Sequence, residues 1–149
     1  MGLIPNINEE ATMSNVRTFF FNEKYYPSIR RRSGDWGLKS PQVDITGIPA
    51  SGGGNHSEDM YLEVAHYRQA KRAVDYAIAG CMHRSQQILK YEYQQQLPIV
   101  ECKELVGLYG HDTYQHADRY ACFEFAETIE VARVLYCVTD LIPKIQDQE

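Results

Sequence analysis

No apolar run in this chain approaches the roughly 18 residues a membrane-spanning helix needs, which excludes an integral helical membrane protein. The first residues, Met1 to Glu10, hold no basic segment followed by an apolar one, so secretion is not expected. Asn6 stands where a myristoylation signal wants Ser or Thr, which argues against a lipid anchor. The expectation is a cytoplasmic protein without membrane partners. Cysteine is scarce: Cys81, Cys102, Cys122 and Cys137 lie 21, 20 and 15 positions apart. None forms a C-x-x-C pair and no histidine sits at finger spacing, so neither a zinc site nor a disulfide framework is expected. These thiols read as small buried groups on helix faces. Nor does Gly-Lys-Ser/Thr follow the glycines of Ser51-Gly52-Gly53-Gly54-Asn55, so they form no phosphate-cradling loop. His111-Asp112 is half of a metal-dependent hydrolase signature, but no second His/Asp set at helical spacing joins it. His66 and His83 are isolated. No catalytic residues, metal or cofactor are expected.

What is present is the composition of an ordinary globular domain: 149 residues, 44% hydrophobic and 23% charged. A chain of this length buries roughly 70% of its unfolded surface without help from metals or disulfides. The formal charge of −5 is unevenly spread: residues 1–60 carry −1, residues 61–100 carry +2, and residues 101–149 carry −6. An acidic C-terminal third repels phosphate, so any attraction to a polyanion must come from elsewhere.

Asn8 is a suitable N-cap, with Glu9 and Glu10 in the first turn of a helix predicted to run to about Asn22. Its stripe is Met13, Val16 and Phe19/Phe20. Pro27 opens a second short helix through Arg30-Arg31-Arg32. Residues 34–56 hold six of the ten glycines and two prolines, and read as a long loop or linker. Ser57 then caps a long helix whose Met60, Val64, Tyr67, Lys71, Val74, Ile78 and Cys81 repeat at alternating 4 and 3 spacing. Ser85 caps the next helix, carrying Ile88, Leu89, Tyr91 and Tyr93. Three parts follow from this: a helical arm over 1–33, the connection over 34–56, and a helical domain over 57–149.

Between Ser85 and Ala126 the order is helix, turn, short helix, glycine-containing turn, helix. Pro98 opens the short helix, whose predicted inner face is Cys102, Leu105/Val106 and Tyr109. Gly107 to Asp112 forms the turn, with Asp112 as N-cap of the last helix. Tyr114, Ala117, Ala121 and Phe125 make that helix's inner face, so Thr113, Gln115, His116 and Arg119 point outward. This is the layout of a helix-turn-helix, and those outward residue types suit a major groove. Gln pairs with adenine, Arg with guanine, and Thr reaches phosphate or a thymine methyl. Asp118 and Glu124 on the same helix oppose an approaching duplex.

Two blocks of residues carry a likeness to a known family. One is Leu38-Lys39-Ser40-Pro41-Gln42-Val43-Asp44-Ile45-Thr46-Gly47, followed by Gly54 to Asp59. The other is Ile88 to Tyr93, Val106-Gly107, Tyr114, and Ala121 through Glu127. In these the chain resembles the ArpU family of phage and prophage transcription regulators. The resemblance implies control of late genes for packaging and lysis in a bacterial host cell. It also implies a C-terminal half like the sigma-factor domain that reads promoters, with residues 112–126 as the recognition helix. Two departures stand out: Arg119 is the only Lys or Arg between Asp112 and Ala126, and the Gly107–Asp112 turn is about one residue longer.

The resulting expectation is an all-α protein that binds double-stranded DNA and regulates transcription. Thr113, Gln115, His116 and Arg119 are its base-reading candidates. Arg30, Arg31, Arg32 and Lys39 are its backbone candidates, with Trp36 beside the arginine run. Arg17, Lys24, Arg68, Lys71, Arg72, Arg84 and Lys90 are further sources of positive charge. The alternative is an acidic interaction module, with Glu101, Glu104, Asp112, Asp118, Glu124, Glu127 and Glu130 contacting host RNA polymerase or another protein. The apolar stretch Ile129 to Ile142 is expected to extend the last helix by several turns, and fits either folding back on Phe19-Phe20-Phe21 or pairing two chains as a homodimer.

Overall fold

A computed structural model describes residues 8–34 and 54–147, without the side chains of 54–56. Lys39 and Trp36, together with the 38–47 block, lie outside the described residues. The chain is helical, and among the described residues there is no strand. Helix α1 spans Glu9–Phe21, α2 Tyr26–Ser33, α3 Gly54–Ala79, α4 His83–Ile88, α5 Ile99–Val106 and α6 His111–Leu135. A π-helical turn over Leu89–Gln94 continues α4.

Local chemistry explains most boundaries. Asn8 Oδ1 accepts the Ala11 N–H at 3.2 Å, and Glu9 and Glu10 complement the first turn of α1. Pro27 sits in the opening turn of α2, and Gly34 closes it in the left-handed region at φ 70°. Gly107, at φ 82°, ends α5 in the same way. There a β-carbon would strain the turn that redirects the chain into α6.

α6 is the axis of the molecule and packs against α1, α3 and α4. Phe19 and Phe20 of α1 meet Tyr26, Tyr93 and Phe125, with the Phe20 ring 4.9 Å from that of Phe125 and 5.5 Å from that of Tyr93. α1 and α2 thus share one core with the later helices. α3 contributes Ala70, Ala73, Val74 and Ala77, all fully buried. At its end a β-carbon on Gly80 would stand 3.2 Å from Thr128 Cγ2, so α3 and α6 approach closely there.

Several predicted boundaries and faces move. α3 begins at Gly54 rather than behind a Ser57 cap. Its buried face covers only the later turns, because α2 and α6 pack there; Met60, expected inside, is 55% exposed. Lys71, on the same stripe, sends its ammonium out to Asp75 at 2.8 Å. α4 starts at His83 with Met82 as its cap residue, which leaves Ser85 buried inside the helix instead of capping it. Tyr109 and Leu105 are exposed, because α5 has only eight residues and Gly107 turns the chain before Tyr109 can reach the core. Gly110 rather than Asp112 precedes α6, while the expected extension of that helix into the Ile129–Ile142 stretch runs as far as Leu135. Cys81, Cys102 and Cys122 are buried, but Cys137 is exposed at the end of α6 with φ 56°.

After Cys137 the chain folds back. Val138, Ile142 and Ile145 are buried, and the Asn15 amide donates to the Ile145 carbonyl at 2.9 Å. The Asp147 N–H donates to Thr12 Oγ1 at 3.1 Å, and its carbonyl accepts the Asn8 N–H at 2.9 Å. The tail therefore lies along α1.

Candidate functional site

The sequence-predicted reading face is the solvent side of the first turns of α6. Thr113, Gln115, His116 and Arg119 are all exposed there. Asp112, Gln115, His116 and Arg119 together border a shallow surface hollow of about 240 Å³. Arg119 Nη1 stands 3.7 Å from Glu9 Oε2, a loose surface pair. Asp118, expected on the outer face, turns inward and is 7% exposed. The reason is a partner invisible to helical spacing: Arg17 of α1 donates to Asp118 Oδ2 at 3.1 Å.

Beneath this face lies a polar cluster that sequence reasoning missed. Tyr93 Oη donates to Asp118 Oδ1 at 2.7 Å and lies 3.1 Å from Cys122 Sγ. Tyr114 Oη donates to Glu92 Oε1 at 3.1 Å. Glu92 and Tyr93 are neighbours in the π-helical turn, and both are buried. Such turns interrupt regular periodicity and recur at functional positions. Burial, and then Asp118 beside it, push the Glu92 carboxyl up to about 8. Glu92 is therefore held toward its neutral form, and Asp118 lies against the Arg17 guanidinium at 3.1 Å. Burial likewise raises the Tyr93 and Tyr114 phenols, and pushes the Cys122 thiol up to about 12. The only sequence hint was the unusual density of Tyr and Glu in Tyr91-Glu92-Tyr93.

The predicted backbone contacts are not brought to one place. Arg30 and Arg31 are exposed on α2. Arg32 is engaged, donating to Tyr67 Oη at 3.1 Å and to Glu63 at 3.5 Å, with its guanidinium 5.3 Å from the Tyr67 ring. Arg68 donates to the Ser33 carbonyl at 2.8 Å and ties α3 to α2. Lys24 and Lys90 lie over the rings of Tyr25 and Tyr91. Arg72 and Arg84 are exposed. His66 Nε2 lies 2.8 Å from Asp140, holding the tail to α3. Among the described residues no group of three or more His, Cys, Asp or Glu side chains is placed to hold a metal ion.

Compared with known proteins, the chain matches no family model, no curated protein and no solved structure.

Proposed function

We propose that this protein is a DNA-binding transcription regulator of the ArpU type, encoded by a phage or prophage, acting on late genes by binding rather than catalysis. In this reading α4 with its π-helical turn, α5 and α6 form a helix-turn-helix, and the long glycine-rich connection precedes α3. The observation that carries it is the head of α6. There an eight-residue helix, a positive-φ glycine turn and a following helix leave Thr113, Gln115, His116 and Arg119 exposed at the protein surface. The buried Asp118 removes one carboxylate from the face a duplex would approach. Arg30 and Arg31, with Arg72, supply phosphate contacts.

A gel-shift series across salt on the phage's own late promoter region tests this. Binding without polymerase, weakening steeply with salt, is expected. Replacing Arg30, Arg31 and Arg32 by Ala should lower affinity for every sequence, whereas Gln115→Ala should relax preference. Unchanged affinity and selectivity in all these variants would overturn the site.

A second reading rests on α5 and its turn, where Val100, Leu105 and Tyr109 are exposed, as are Glu101 and Glu104 of the same helix. Mixed apolar and acidic surface of this kind suits a basic protein face, such as one on host RNA polymerase. A shift seen only with polymerase favours it. Val131, Val134 and Leu135, exposed on the last turns of α6, are where a second copy would pair. Light scattering checks that pairing.

A further inference from the structure

A cleft of about 410 Å³ opens between α1, the π-helical turn, α5 and the head of α6. That volume falls within the range of small-molecule sites, roughly 300–1,000 Å³. Phe21, Leu97 and Ile99 form its apolar wall, and Phe21 is held flat against Tyr93 with ring centres 5.3 Å apart. Two carboxyl side chains, Glu92 at 8% and Asp118 at 7% exposure, lie at its base. Lys103 and His111 also line it. Among the described residues neither has an ion-pair partner.

Charge balance then decides what the cleft accepts. Arg17 cancels Asp118 directly, at 3.1 Å. Glu92 faces Cys102 from α5, Tyr93 from its own turn, and Tyr114, Asp118 and Cys122 from α6, while Arg17 of α1 lines the same cleft. Shielded from water and crowded against Asp118, Glu92 is pushed toward its neutral form, in which the carboxyl can donate a hydrogen bond. Among the described residues what carries no ion-pair partner is the Lys103 ammonium, with the His111 ring at the start of α6, where the helix dipole favours anions although Asp112 in the first turn offsets part of it. The contents are thus one free cation, one neutral acid able to donate, and an apolar wall.

We propose that this cleft binds a small organic carboxylate with an apolar body, its carboxylate on Lys103 and Glu92 and its body against Phe21, Leu97 and Ile99. Gln115 belongs both to the cleft and to the outer face of α6, so occupancy would be felt at the reading face. That last link rests on the DNA-binding reading; ligand binding itself does not.

Benzoate, benzamide and benzylamine serve as anionic, neutral and cationic probes of one shape. Titrated without DNA into the full chain and followed by amide chemical shifts, benzoate should saturate shifts around Phe21, Lys103 and Tyr114. Benzamide and benzylamine should bind at least tenfold more weakly (about one tenfold step for a lost charge-assisted contact). Lys103→Met keeps the aliphatic stem and should weaken benzoate about tenfold. Benzoate affinity should fall as pH rises through about 8 in the wild type, while Glu92→Gln, which still donates, should hold its affinity across that range. Benzylamine binding as tightly as benzoate, no saturable cleft shifts at millimolar benzoate, or an unchanged affinity in Lys103→Met would each overturn the proposal.

Discussion

The two halves of α6 are seated by different physics. The second half packs with Phe125, Ala126, Ile129 and Ala132, all fully buried, in an apolar core. The first half inserts Tyr114, Asp118 and Cys122 into a polar network with Arg17, Glu92 and Tyr93. Apolar burial is non-directional and insensitive to pH, so it supplies stability without fixing a helix's rotation about its axis. Hydrogen bonds to Asp118 from two other elements do fix that rotation. They thereby determine that Gln115 and Arg119, and not Asp118, face outward. Buried ion pairs add little net stability, and their better-attested contribution is to specify one arrangement.

The largest effect that bears on this comparison should come from the apolar half. Phe125→Ala empties a site shared by the Phe19 and Phe20 rings. It is expected to cost about 3–5 kcal/mol of unfolding free energy, read by denaturant titration, with the same cost at pH 5 and pH 9. A cost that changed strongly with pH would tie the two halves into one unit. Next comes Asp118→Ala, which removes the carboxylate that both Tyr93 Oη and the Arg17 guanidinium donate to. Arg17 is half exposed, so water takes over part of that loss, and about 2–3 kcal/mol is expected. Destabilisation no greater than that of a surface substitution would mean the polar network does not seat α6.

Glu92→Gln should act in the opposite direction. The folded protein raises this carboxyl from its ordinary 4.5 to about 8. Its contribution is therefore fully present below 4.5 and is lost as pH rises to 8, because the folded chain must hold a proton that the unfolded chain releases. Glutamine keeps an acceptor for Tyr114 and cannot ionise. Thermal melts from pH 4 to pH 9 should show the variant gaining on the wild type across that window by on the order of 1–2 kcal/mol, allowing for water in the cleft, and then levelling off. Parallel curves would show that Glu92 titrates as an ordinary surface acid.

The helical class was legible because periodicity and caps agree along most of the chain: Asn8, Pro27, Gly107 and the Tyr114–Ala121–Phe125 stripe all behave as local chemistry dictates. What was not legible depended on long-range partners. Spacing placed Met60 inside because it cannot tell which turns of α3 meet a neighbour. It placed Asp118 among the opposing surface charges, since nothing local announces that Arg17, 101 residues away, will meet it. The π-helical turn escaped for a related reason: a single wide turn breaks the 3.6-residue register that periodicity measures. The outward direction of the four side chains at the head of α6 could be named from the stripe behind them, whereas the inward turn of Asp118, which holds that rotation, could not.

The smallest stability effect should fall on that outer face. Among the described residues Arg119 pairs with Glu9, at 3.7 Å, with both side chains at least half exposed. Arg119→Ala is expected to leave stability within about 0.5 kcal/mol, since exposed pairs of this length contribute little. Its effect on DNA should be the reverse: if Arg119 reads guanine, discrimination at one base pair drops by about 1–3 kcal/mol while non-specific affinity changes little. Glu9→Ala separates the alternatives further. Releasing Arg119 from its carboxylate should tighten DNA binding slightly if the guanidinium reaches the duplex. If α6 instead presents its head to a protein, Glu9→Ala should leave DNA affinity unchanged while altering the shift seen with polymerase, because only the stripe of α6 that meets the partner senses the charge at residue 9.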